Sequence, residues 1–330
     1  MARRSLAFPA PPASPRRDRD ADRGYGAGAT PGWRDIDWSE YRRQVEVDGT
    51  PVNYVDLGSG DQEPVVFVHG LGGQWQNWLE NLPRLAQERR VLALDLPGFG
   101  LTPEPSERIT ISGFGRTVDR FCERLDLGPV ALVGNSMGGF VTAETAIQVP
   151  GRVSRLVLVS AAGISSADAV RTPILAVGRV AAAIAANTAA RYRELAARPL
   201  SRHLSLALVV RHPRLLRADF AYEGLLKGAG KAGFDNALRA CLEYDFRERL
   251  PEVGCPTLIV WGENDAIIPV RDAEEFERLI SDSRKVVMRD TGHVPMAERP
   301  EAFNDLVVEF LAETGPAEAK ELVAGRSEPA

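Results

Sequence analysis

At 330 residues with 44% hydrophobic side chains, the chain is long enough to bury a large core, and it suits one big domain or two modest ones. A formal charge of -5 argues against nucleic acid as the main partner. The three cysteines, Cys122, Cys241 and Cys255, have neither metal-ligand spacing nor the even count of a disulfide framework, which fits a reducing, cytoplasmic compartment.

In chain order, residues 1–33 are rich in Pro, Arg, Asp, Gly and Ala without apolar periodicity, and they read as a disordered tail. Arg3-Arg4 opens no export signal, because Pro9-Ala-Pro-Pro12 and a charged run follow where an apolar stretch would be needed. Residues 43–47 and 52–57 read as a strand pair turning at Asp48-Gly49. The run 64–68 is fully apolar, as in a strand covered on both faces. Similar runs recur at 91–94, 130–133, 156–159, 257–261 and 285–288, and Cys122 and Cys255 read as buried thiols in or beside such elements. Helix-like segments at 77–89, 111–125, 140–149 and 271–280 separate most of the strands. Strands alternating with helices of this length predict an α/β fold, a mostly parallel sheet with helices on both faces. The rhythm breaks between 160 and 257. This interval is Ala-, Leu- and Arg-rich and helical in flavour, and residues 163–239 read as a helical cap over the carboxyl ends of the strands. The core is then 34–162 together with 240–313, and 314–330 is a second loose tail. From 162 to 240 there are twelve Lys and Arg against five Asp and Glu, so a basic cap meets an acidic chain. Such a surface suits peripheral contact with an anionic membrane or attraction of anionic substrates. Residues 174–190 are too short and too rich in alanine to span a membrane, and they read as an amphipathic cap helix.

The chemistry is concentrated where strands end. Val130-Ala-Leu-Val-Gly-Asn-Ser-Met-Gly-Gly139 is an apolar run closing in Gly-x-Ser-x-Gly, which puts Ser136 on a tight turn between strand and helix. A serine hydroxyl needs a base, and the base needs an orienting acid. Of the four histidines, His293 in Asp290-Thr-Gly-His-Val-Pro295 follows a predicted strand. Trp261-Gly-Glu-Asn-Asp265 follows another and supplies Asp265. His69-Gly-Leu-Gly-Gly73 follows the strand at 64–68, where glycines let the backbone approach a substrate. The oxyanion donors expected here are the backbone N–H groups of Leu71 and Met137. His69 reads as a brace for this loop, and His203 and His212 as packing or surface residues. No cofactor is required by this chemistry, and no metal site is implied by the spacing of His, Cys and Asp.

These elements resemble the α/β-hydrolase superfamily over roughly residues 44–312. The resemblance is carried by His69-Gly70-Leu-Gly-Gly73, Asp95-Leu-Pro-Gly-Phe-Gly100, Gly134-Asn-Ser-Met-Gly138, Gly262-Glu-Asn-Asp265 and Gly292-His293. It implies an eight-stranded sheet with the cap inserted after the sixth strand, and a Ser-His-Asp triad in that fold's order. Serine at the elbow departs from the related branches that use aspartate there. Within the superfamily the chain resembles serine esterases and lipases acting on small apolar esters. It is also similar in part to the C–C hydrolases of ring meta-cleavage products, through the elbow and through Trp75-Gln-Asn77-Trp. In that reading Gly70, Trp75 and Asn77 contact the substrate. Val294 and the absence of a Gly-Pro-Gly loop depart from the C–C group, so ester hydrolysis is the favoured expectation. A non-catalytic binding protein on this fold is a third reading, disfavoured because all three triad roles are filled.

Overall fold

A computed structural model of the chain describes residues 24–165, 194, 197–228 and 231–313. The expected tails at 1–23 and 314–330 and the expected cap helix at 174–190 lie outside them. Eight strands form one sheet: β1 (Arg42–Val47), β2 (Thr50–Leu57), β3 (Val65–Val68), β4 (Val91–Leu94), β5 (Val130–Asn135), β6 (Val153–Val159), β7 (Thr257–Gly262) and β8 (Ser283–Met288). Their spatial order is β1-β2-β4-β3-β5-β6-β7-β8. β1 and β2 pair antiparallel, as do β2 and β4, while every other pairing is parallel. The β1–β2 turn places Asp48 at φ 47° and Gly49 at φ 79°, the left-handed pair that a two-residue hairpin needs to match strand twist.

Alternation along the central strands feeds two cores. Val66, Val68, Leu92, Leu94 and Leu132 face one, against helices α1 (Ile111–Arg124), α2 (Met137–Gln148) and, beyond the cap, α5 (Arg271–Leu279). Val65, Phe67, Val91, Ala93, Val133 and Val157 face the other, against the short helix Leu82–Leu85 and α6 (Pro300–Ala312). Cys122, Cys241 and Cys255 are buried free thiols. Burial pushes the first two up to about 12 and Cys255 up to about 11, so none carries a reactive thiolate near neutral pH.

The segment between β6 and β7 has no strand among its described residues. It contains α3 (Pro199–Leu206), a turn of helix at Ala218–Phe220 that widens into a π-helical stretch at Ala221–Leu226, and α4 (Phe234–Glu243). This stretch rests on the core's loops. A Cβ built on Gly228 would lie 2.8 Å from Gly72 O, and Gly233 N donates to Gly98 O at 3.2 Å. Its basic surplus is partly internal: Arg202 is buried and donates to the carbonyl of Ala197 at 2.8 Å, while Arg217 and Lys227 pair with Asp219 and Glu223. No described helix is long and apolar enough to cross a membrane.

Three expectations need correction. The disordered tail drawn to residue 33 is too long, because 24–33 are packed. Tyr25, Ala29 and Trp33 are buried, and Glu80, itself buried, accepts from Ala29 N at 2.8 Å and Trp33 Nε1 at 2.9 Å. Polar composition gave no sign of this, since the two aromatics find their polar partners in the core. The helix expected over 77–89 is instead a 3-10 turn, Trp75–Trp78, followed by the four-residue helix Leu82–Leu85, because Pro83 can only open a helix there. Finally, α6 carries an apolar stripe of Phe303, Val307 and Phe310 behind Pro300 that the sequence reading passed over.

Candidate active site

The strand order reverses on either side of β3, which lies between β4 and β5. Loops leaving β3 and β5 therefore diverge and open a crevice at the strands' carboxyl ends. Ser136 stands there between β5 and α2 with φ 55° and ψ −118°, a conformation costing an L-residue about 1–3 kcal/mol. Its surroundings enforce it. Ser136 N donates to Val159 O at 2.9 Å, and Ala162 N donates to Ser136 O at 3.0 Å. The flanking glycines are required by contact: a Cβ at 134 would sit 2.3 Å from Gly138 O, and one at 138 would sit 2.1 Å from Val68 O. Strand and helix can meet at so sharp an angle only without those side chains.

Asp265 and His293 come from the loops after β7 and β8. Asp265 Oδ2 lies 2.7 Å from His293 Nδ1, with the carboxylate fully enclosed and the imidazole 6% exposed. Asp265 Oδ1 accepts from Ile267 N at 2.8 Å and Ile268 N at 2.9 Å. Because the carboxylate only accepts, Nδ1 carries the proton and the Nε2 lone pair is left available. The His293 backbone is fixed as well: His293 N donates to Val209 O at 2.8 Å, and Asn135 Nδ2 donates to His293 O at 3.3 Å. Asn135 directly precedes Ser136, so the serine and histidine loops are joined through it. The Ser136 hydroxyl makes no hydrogen bond to a described residue, a looseness common in ligand-free sites.

His69 explains how the β3 loop is held. Leu96 N donates to His69 Nε2 at 3.0 Å, which makes Nε2 the acceptor and Nδ1 the protonated nitrogen. His69 Nδ1 then donates to Gly70 O at 2.8 Å, and Gly73 N donates to the same oxygen at 3.0 Å. In a trans peptide C=O and N–H point opposite ways, so anchoring Gly70 O turns Leu71 N–H in the other direction. Gly70 abuts the serine, since a Cβ there would be 3.2 Å from Ser136 Cβ. Met137 N–H is the first donor of α2, at the positive end of that helix. Neither N–H has an acceptor among the described residues. Burial holds the His69 imidazole below the usual histidine range, so it braces the loop as a neutral ring.

Trp75 and Asn77 are differently engaged. The Trp75 indole packs against Trp38 with centroids 5.0 Å apart, and the Trp75 backbone N–H donates to Asp95 Oδ1 at 2.8 Å. Asn77 Nδ2 donates to Gly224 O of the π-helical stretch at 2.5 Å, which uses one of its two amide hydrogens. Asp95, in the sequence noted only for resemblance, gathers Asn53 Nδ2 at 2.8 Å and Leu101 N at 2.9 Å as well as Trp75 N. Glu298 is a participant that the sequence reading missed: it accepts from Gly292 N and Val294 N, on both sides of His293. A lone Glu in a short helical turn gives no periodic signal. Among the described residues no cluster of His, Cys, Asp and Glu could hold a metal ion.

The family model described as alpha/beta hydrolase fold matches residues 63–300. The chain is 34% identical over 278 residues to the dihydrolipoyllysine-residue acetyltransferase component of the acetoin cleaving system of Pseudomonas putida, spanning 82% of this chain and 69% of that one. It is 32% identical over 285 residues to 2-hydroxy-6-oxo-2,4-heptadienoate hydrolase of Pseudomonas putida, covering 83% and 97%. The crystal structure of a membrane phospholipase A superposes with a TM-score of 0.63 at 28% identity, covering 82% of this chain and 85% of that one.

Proposed function

Because the chain belongs to the alpha/beta hydrolase fold family, we propose that it is a serine hydrolase that cleaves carboxylic esters of small apolar acids through an acyl-enzyme. The observation that carries this is the Asp265–His293 contact of 2.7 Å in the loops facing the strained Ser136 turn. His293 Nε2 takes the hydroxyl proton as Ser136 Oγ attacks the ester carbonyl. The oxyanion that forms is met by Leu71 N–H and Met137 N–H, each worth about 3 kcal/mol in the transition state. Protonated His293, steadied by Asp265, then gives its proton to the leaving alcohol as the C–O bond breaks. A water deprotonated by the same imidazole attacks the acyl-Ser136 carbonyl, releasing the acid and returning the proton to Ser136. The described residues 197–228 and 231–239 rest on the loops of this site and serve as the part of the cap that sizes the acyl chain.

A second reading, C–C bond hydrolysis of a ring meta-cleavage product, is favoured by the 32% identity to the heptadienoate hydrolase. Val294 after the histidine and the absence of a Gly-Pro-Gly loop count against it. The test is hydrolysis of p-nitrophenyl esters from acetate to laurate beside Ser136→Ala. The ester reading expects turnover that falls by at least about a thousandfold in the variant. Native protein inert on every ester but active on a dienoate ring-cleavage product would transfer the assignment to the second reading.

A further inference from the structure

The backbone on either side of His293 is held by a single buried side chain. Glu298, with no exposed surface, accepts from Gly292 N at 2.9 Å, Val294 N at 3.3 Å, Arg211 N at 2.8 Å and Tyr25 Oη at 2.5 Å. All four partners donate, which matches the lone pairs of a carboxylate and offsets the burial that pushes the Glu298 carboxyl above the usual carboxylate range. Tyr25 supplies the one side-chain donor among the described residues, and its oxygen in turn accepts His212 N at 2.8 Å. Gly26 N adds a bond to Glu298 O at 2.7 Å, and the Arg299 guanidinium lies 5.4 Å from the Tyr25 ring centre. The cap segment that receives His293 N at Val209 O is therefore the same one that Tyr25 and Glu298 grip at residues 211 and 212. A Cβ at Gly292 would meet Arg211 N at 2.8 Å and Glu298 Oε1 at 3.0 Å, so the loop, the cap segment and the carboxylate are in direct contact.

We propose that the N-terminal arm is part of the hydrolytic apparatus, with Tyr25 and Glu298 as positioning residues that hold the His293 loop and the cap segment 209–212 in register with Ser136. Tyr25 lies outside residues 63–300, the region matched by the family model, whereas Glu298 lies inside it. The inference rests on the Ser-His-Asp reading. Removing the Tyr25 hydroxyl strips one donor from the buried carboxylate that holds the His293 loop and the acceptor from His212 N, in the cap segment that receives His293 N.

The experiment uses the full chain with Tyr25→Phe, Glu298→Gln and the double variant. It measures kcat and KM for p-nitrophenyl butyrate, the rate of Ser136 labelling by a fluorophosphonate probe, and the melting temperature. Tyr25→Phe should lower kcat and the labelling rate together by about tenfold with KM unchanged. Glu298→Gln should lower them by about a hundredfold, and the double variant no further, because Tyr25 acts through Glu298. Tyr25→Phe that melts earlier but keeps native kcat and labelling per folded molecule overturns the inference, and it decides the matter even if Glu298→Gln does not fold. A native protein that is labelled but cleaves no ester leaves the labelling rates to judge the strap while the ester reading fails. A native protein that is not labelled at all removes the serine mechanism and the strap with it.

Discussion

His69 shows how one side chain can organise a site without taking part in its chemistry. Its ring spans Leu96 N and Gly70 O, and this requires the neutral form. Burial holds the folded-state pKa below that of the unfolded chain, about 6.5. The unfolded chain therefore takes up the proton first as pH falls, and the native state loses stability below that value by up to about 1.4 kcal/mol per pH unit. Urea unfolding at pH 7.5 and 5.5 should show this slope in the native protein and a shallower one in His69→Gln, which has a donor and an acceptor but does not titrate. At this scale the sequence was readable where chemistry and position coincide. Ser136, Asp265 and His293 each sit just past an apolar run, and the structure gathers Asp265 onto His293. It was unreadable where a role depends on a distant partner. Nothing near Asn77 in the chain announces its bond to Gly224 O, and nothing near Glu298 announces Tyr25.

Among the elements, the strand–turn–helix at β5 and α2 is the least forgiving. Gly138→Ala would press a methyl into the backbone carbonyl of Val68, which belongs to β3 and cannot swing aside. It should cost on the order of 3 kcal/mol or prevent folding. Gly128→Ala is the control, since a Cβ there meets nothing within 4 Å, and its unfolding midpoint in denaturant should match or slightly exceed the native one. The strands were the most legible elements, because runs such as Val65–Val68 and Val91–Leu94 are apolar on both faces and bounded by turn residues. Helices were less so. The segment after Trp75 is split by Pro83, and α6 hides its stripe behind charged positions that face outward.

For the whole molecule, the arm and the cap are also joined at the surface. Arg34 grips Asp219 with Nε–Oδ2 at 2.5 Å and Nη2–Oδ1 at 3.0 Å, and its guanidinium lies 4.6 Å from the Trp33 ring centre. Arg34 holds the Asp219 carboxyl well below the usual carboxylate range. The contact therefore stabilises docking at all pH values above the unfolded-state pKa of about 3.9 and is lost as acid protonates Asp219. Hydrogen exchange over residues 24–36 should stay slow at pH 5 and accelerate in Arg34→Ala at neutral pH; equal protection in that variant would show the pair to be idle. The interval without strands between β6 and β7 was legible, whereas the arm's docking was not, because its composition is that of an unstructured segment.

The bond from Tyr25 to Glu298 joins residues 273 positions apart. During synthesis the arm leaves the ribosome early and must wait, unpaired, until nearly the whole catalytic region has followed it. Contacts of such separation form late and slow folding. A nascent or truncated chain that already displays Ser136 on its elbow would thus have neither its base nor the strap behind it, and so would be hydrolytically silent.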